Sequence, residues 1–154
     1  LIINCGATLD SWTSIIGYSI SDLTLYTNDL TKTPDSSTRL TDLLEGPINI
    51  ADEYGSRMKG WLVPPVTGDY VFWIAADETA ELWLSTNDQP ENGILVCSLT
   101  LKTEPRQWME YPEQESEPIP LVAGQAYYFE VRVCMILGAL HLRSVHVLFY
   151  EIMP

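Results

Sequence analysis

Apolar and polar positions begin to alternate at Ser56, and from there the chain reads as a succession of short strands. Arg57 to Val63 predicts one strand, stopped by Pro64-Pro65, with Val66-Thr67-Gly68-Asp69 as the turn. From Tyr70 to Ala76 both rows are apolar. Tyr70, Phe72 and Ile74 point one way and Val71 and Trp73 the other, the pattern of a central strand covered on both faces. Glu81 to Ser85 places Leu82 and Leu84 opposite Trp83. Ile94 to Leu101, Ile119 to Leu121, Ala126 to Met135 and Val145 to Ile152 complete the set. Polar or Pro-rich stretches at 86–93 and 104–117 separate them. Repeated short strands with intervening turns predict an all-β, antiparallel β-sandwich. Trp61, Tyr70, Phe72, Trp83, Tyr128 and Val131 are its expected core.

Residues 1–50 lack that alternation. They are rich in Ser, Thr and Asp, with turn or cap signals at Ser21-Asp22-Leu23 and Pro34-Asp35-Ser36-Ser37 and a short helical turn expected from Ser37 to Leu44. The expectation is one domain over 1–154, with 1–50 an irregular wrap and 51–154 the main sandwich strands. A chain of 154 residues is long enough to bury a core of its own.

Charge narrows the partners. Eight Lys and Arg against 21 Asp and Glu leave a net charge of −13, which repels phosphate backbones and excludes nucleic acid as the expected partner. No apolar run reaches the roughly 18 residues that predict a membrane-spanning helix, so no membrane insertion is expected. The three cysteines fit no zinc spacing. In a secreted chain the simplest arithmetic is one disulfide and one thiol, with Cys5 joined to Cys97 or to Cys134. Glu113, Glu115 and Glu117 alternate beside prolines as a solvated loop does, rather than as a glycosidase dyad. His141 and His146 lack an evident catalytic partner, and a non-catalytic protein is expected.

The run from Tyr54 to Glu78 contains Gly60-Trp61-Leu62-Val63-Pro64-Pro65-Val66-Thr67-Gly68-Asp69-Tyr70-Val71-Phe72, then Asp77-Glu78, then Glu81-Leu82-Trp83-Leu84. It resembles the core motif of the protective-antigen-type (PA-fourteen) domain. Arg106 to Ser116 and Ile119 to Tyr128 resemble that family's approach to its long strand, and Ser21-Asp22-Leu23-Thr24 resembles the upstream part of an extracellular subgroup. The likeness runs from about Trp12 to Tyr150. It implies a secreted, lectin-like, jelly-roll-like β-sandwich with an irregular N-terminal segment. It also implies a function in binding carbohydrate or another extracellular protein, in some members through calcium. The alternative is a structural subunit that self-associates as a homo-oligomer or filament in an extracellular assembly.

The resemblance also locates candidate residues. Calcium-binding members carry two consecutive Asp where this chain has Asp77 and Glu78. Carboxylate oxygens suit calcium, and the alternative is a solvated turn. Asn87 and Asp88 either add ligands or form an Asx-type turn. After the long strand, where relatives often have a Gly-rich polar loop, this chain reads Cys134-Met135-Ile136-Leu137-Gly138-Ala139-Leu140-His141-Leu142. If exposed, Met135, Ile136, Leu137 and Leu140 mark an interface; if enclosed, they are added core.

Overall fold

The apolar alternation folds into strands close to where it predicts them. A computed structural model describes residues 4–15, 17, 19–41, 43–46, 54–77, 79–134 and 145–151. Seven strands follow the predicted pattern: β3 (Tyr54–Val63), β4 (Gly68–Ala76), β5 (Thr79–Ser85), β6 (Gly93–Leu99), β7 (Ile119–Leu121), β8 (Tyr127–Cys134) and β9 (Val145–Glu151). The first forty residues are more regular than their sequence suggests. They form β1 (Asn4–Thr13), helix α1 (Ile20–Asn28) and β2 (Ser36–Leu40). The expected helical turn at 37–44 is therefore largely replaced by an edge strand. β2 pairs with β1 from Ser36↔Ser11 to Leu40↔Ala7, and most of its side chains face water, so it has no apolar period to read.

Two antiparallel sheets result, one in the order β2-β1-β3-β8-β5-β6 and one in the order β7-β4-β9. They enclose one main core. Met58, Leu62, Leu82, Leu84, Phe129 and Val131 come from the larger sheet, and Tyr70, Phe72, Ile74 and Val147 from the smaller. β4 is central, as its two apolar rows require: Val71, Trp73 and Ala75 are buried on the face away from this core. β7 covers β4 only from Gly68 to Tyr70. Beyond that, polar side chains satisfy its backbone. The Phe72 amide donates to Ser116 Oγ, the Gln114 amide to Ile74 O and the Ala76 amide to Thr103 Oγ1, at 2.9–3.0 Å.

Helix α1 lies on the outer face of the large sheet. Ser19 caps it with a reciprocal pair, Ser19 Oγ accepting from Asp22 N while Asp22 Oδ2 accepts from Ser19 N. Leu23 and Ile15 bury against Trp12 in a second small core. Close docking depends on Gly55, where a Cβ would lie 2.7 Å from Leu23 Cδ1 and collide with Ile15 Cδ1.

Strand register corrects the disulfide expectation. Cys5 pairs with Leu62 and Cys134 with Gly55, at opposite ends of β3 and about 23 Å apart along it. Cys97 lies on β6, four strand spacings or about 19 Å from β1. Cys134 and Cys97 are two strands apart and offset by three residues. These separations exceed the roughly 7 Å between Cα atoms that a bond demands. Cys97 instead keeps its thiol, which donates to Phe72 O at 3.4 Å.

The core expectation holds for Tyr70, Phe72 and Val131; Tyr128 is buried, but on the outer face of the large sheet, where Trp61 is 50% exposed and Trp83 only partly buried. Both tryptophans point to the outer face of the large sheet, because Leu62, Leu82 and Leu84 on the same strands take the inner positions.

Candidate functional site

Asp77 stands where β4 ends. Its carboxylate is 5% exposed, with Lys102 Nζ at 3.4 Å from Oδ1. The same ammonium lies 3.3 Å from Glu104 Oε1. The arrangement follows from the strand end, since Thr103 N donates to Ala76 O at 2.8 Å and draws residues 102–104 alongside it. Burial alone would lower the Lys102 pKa, but the Glu104 and Asp77 carboxylates raise it, so the ammonium stays charged. Two carboxylates about one cation suit a hard ion. Calcium, however, takes six to eight oxygens, and among the described residues no group of three or more His, Cys, Asp or Glu converges. Glu78 lies outside the described residues. The cation seen at Asp77 is thus the lysine's own.

Asn87 and Asp88 are not brought to that site. β5 separates them from Asp77 by about 20 Å. Asn87 Oδ1 accepts from the amide of Gln89 at 3.0 Å and from Asn92 Nδ2 at 3.1 Å, an Asx-type turn. The main chain of this loop ties the sheet end together: Asn87 O accepts from Tyr128 N at 2.8 Å and Asp88 O from Trp61 Nε1 at 3.0 Å. Met135, Ile136, Leu137 and Leu140 lie outside the described residues.

His146 does have partners, contrary to the sequence expectation. It is buried, with Nδ1 3.1 Å from Glu45 Oε1 and its ring edge-on to Trp108. Arg106 grips the same Glu45 through two bonds, Nε to Oε1 at 2.8 Å and Nη2 to Oε2 at 3.0 Å. Arg106, followed by burial and His146, sets the balance that holds Glu45 below the usual carboxylate range. This triad fastens the Leu44–Gly46 segment to β9, where Val147 N donates to Leu44 O.

The outer face of the large sheet carries the residues that sequence reasoning placed inside. Across β6, β5, β8 and β3, one row reads Leu95, Trp83, Glu130 and Lys59; beside it Gly93 pairs with Ser85 and Tyr128 pairs with Trp61. A register shift between Leu82 and Trp83 brings Trp83 opposite Leu95. Small residues beside large ones leave a hollow of about 160 Å³, lined by Trp83, Pro90, Gly93, Tyr128, Glu130 and Arg132. Glu130 accepts from Tyr128 Oη at 2.7 Å and from Arg132 Nε at 2.6 Å, and the Arg132 guanidinium lies 5.3 Å over the Trp83 ring. Burial first, and then the charge and hydrogen bond of Glu130, raise the Tyr128 pKa, so this phenol stays protonated. A larger cleft of about 350 Å³ runs between 98–101 and 111–113.

Two packed antiparallel sheets around one main core define an antiparallel β-sandwich domain. The chain belongs to the PA14 domain family, whose model matches residues 26–148. It is 32% identical over 102 residues to mouse N-acetyl-beta-glucosaminyl-glycoprotein 4-beta-N-acetylgalactosaminyltransferase 1, covering 64% of this chain and 10% of that protein. Dog fibrocystin is 31% identical over 86 residues, 50% of this chain and 2% of its own length. The chain thus spans a tenth or less of these relatives. Among solved structures, the Candida glabrata epithelial adhesin 9 A domain in complex with Galb1-4GlcNAc is similar at TM-score 0.60 and 13% identity, over 97% of this chain and 82% of that one. A Kluyveromyces marxianus beta-glucosidase in complex with glucose is similar at TM-score 0.61 and 13% identity, over 96% of this chain and 16% of that one.

Proposed function

We propose that this chain is a non-catalytic, extracellular binding and adhesion module directed at carbohydrate or glycoprotein. The observation that carries this reading is the buried Asp77 carboxylate at the end of β4, with the Lys102 ammonium 3.4 Å from its Oδ1. Burying a charge is costly unless it is compensated, so the site is organised around a positive ion. Lys102 occupies that position and remains partly solvent-exposed, free to withdraw. Calcium assistance then means exchange of the ammonium for the metal between Asp77 and Glu104, with Glu78 as the further donor. The adhesin domain whose fold covers nearly all of this chain holds a disaccharide, which supports a sugar as the ligand class.

The test is a glycan array run in calcium and in chelator, with wild type and Asp77→Asn. Binding that Asp77→Asn weakens, and that chelator weakens where calcium takes part, is the expected result. Calorimetry with calcium alone should show tighter binding to Lys102→Gln than to wild type. An array on which the wild type retains no glycan, with or without calcium, rejects the function.

A further inference from the structure

We infer that the hollow between Trp83 and Tyr128, on the outer face of the six-stranded sheet, is a second ligand site that takes one pyranose ring of an uncharged saccharide. The inference rests on the carbohydrate reading above but concerns a different place, since Trp83 lies in the middle of β5 and Asp77 precedes its start.

Size comes first. At about 160 Å³ the hollow is well below the roughly 300 Å³ at which drug-sized pockets begin, so it accepts a single ring and leaves the rest of a chain in solvent. Its lining is amphipathic in the way a sugar is. A pyranose has one face of C–H bonds and an edge of hydroxyls. An indole attracts C–H hydrogens, and because the Arg132 guanidinium lies over one part of the Trp83 ring, the sugar meets the solvent-exposed remainder of that indole beside Arg132. Glu130 and Arg132 stand at the same hollow as acceptor and donor. Arg132 commits Nε to Glu130, which leaves its Nη donors for a hydroxyl.

The groups are already positioned. Glu130 is fixed from two sides by Tyr128 and Arg132, and Arg132 is stacked on Trp83, so little side-chain entropy remains to be lost on binding. The loop that carries Pro90 is pinned to the sheet by Asn87 and Asp88 through their main-chain oxygens. Their role is therefore to hold the rim rather than to touch the sugar. Charge selects the class of sugar. The positive charge of Arg132 is matched by Glu130, and the chain as a whole is at −13, so sialylated or sulfated rings gain nothing here and are repelled at long range.

The experiment uses immobilised neutral hexose, N-acetylhexosamine and sialylated glycans, with a peptide array beside them. Wild type, Trp83→Ala, Arg132→Gln and Asp77→Asn are compared, each checked by circular dichroism. The expected result is that neutral glycans bind wild type and that Trp83→Ala and Arg132→Gln each weaken them by about tenfold or more. If Trp83→Ala does not fold, Arg132→Gln decides. Wild-type affinity in the folded variants, with loss only in Asp77→Asn, overturns the second site and leaves the proposed function standing. No glycan binding by wild type overturns both, and binding confined to acidic glycans or to peptides overturns the inference.

Discussion

Phe72 and Trp61 lie on strands of similar apolar content and have opposite surroundings. Phe72 is 2% exposed between the sheets, whereas Trp61 packs edge-on to Tyr128 with a ring separation of 5.8 Å and keeps half its surface in solvent. Truncating an enclosed aromatic removes its transfer energy and leaves a cavity, so Phe72→Ala should cost about 3–5 kcal/mol in urea unfolding. Trp61→Ala loses one ring contact and the bond to Asp88 O, and should cost about 1–2 kcal/mol by the same measurement. Cys97 gives a second contrast. Burial, together with the nearby Glu115 charge, pushes its thiol pKa up to about 12. The thiolate is the reactive form, so Cys97 should stay unlabelled by iodoacetamide at pH 8 in the native protein and become labelled in denaturant. Peptide mapping reads both states.

Among the elements, the strands from β3 to β9 could be read because their alternation matches their burial. β1 and β2 could not. β1 has its own inner row, Ala7 and Leu9, but its outer row holds Asp10 and Trp12, both buried. A polar residue at a buried position hides the period. Asp10 is covered because Arg57 Nη2 reaches it at 3.2 Å, Lys59 Nζ lies at 3.5 Å, and Ser37 donates at 2.8 Å from β2. Burial by itself would raise the Asp10 pKa. The Ser37 and Arg57 hydrogen bonds and the charges of Lys59 and Arg57 outweigh it and hold the pKa below its ordinary value. A depressed carboxyl pKa stabilises the fold at pH above the unfolded value, near 4, and that contribution is lost as pH falls through the folded value. Melting temperature should therefore drop on acidification below about pH 4, and less steeply in Asp10→Asn. That variant is also destabilised at pH 7, by about 3 kcal/mol, because Arg57 is left in a largely buried position without its partner. Helix α1 was hidden for another reason, since its docking depends on the missing side chain of Gly55 rather than on a long amphipathic pattern. Gly55→Val should dislodge the helix and expose Trp12, seen as a red shift in tryptophan emission. Of the candidate sites, Asp77 could be located from its motif. The outer-face hollow could not, because it depends on a register shift and on which strands are neighbours, and neither is written in a single segment.

The molecule as a whole carries a charge of −13, and self-repulsion at that level opposes compactness. Screening shortens the repulsion, so melting temperature should rise as sodium chloride is raised from about 10 mM to about 150 mM. Because register keeps the cysteines far apart, the melting temperature should not change when dithiothreitol is added. A large fall would mean that a covalent link exists.

One further consequence comes from the stretch of β4 beyond its pairing with β7. Ser116, Gln114 and Thr103 occupy the hydrogen-bonding sites of Phe72, Ile74 and Ala76 that another chain's backbone would otherwise seek. These three side chains act as a plug against templated growth, since an unpaired apolar strand invites stacking into fibrils. A chain with all three changed to alanine keeps the main-chain bonds from Thr103 N to Ala76 O and from Ser116 N to Phe72 O, yet it frees the amides of Phe72 and Ala76 as docking points for a foreign strand.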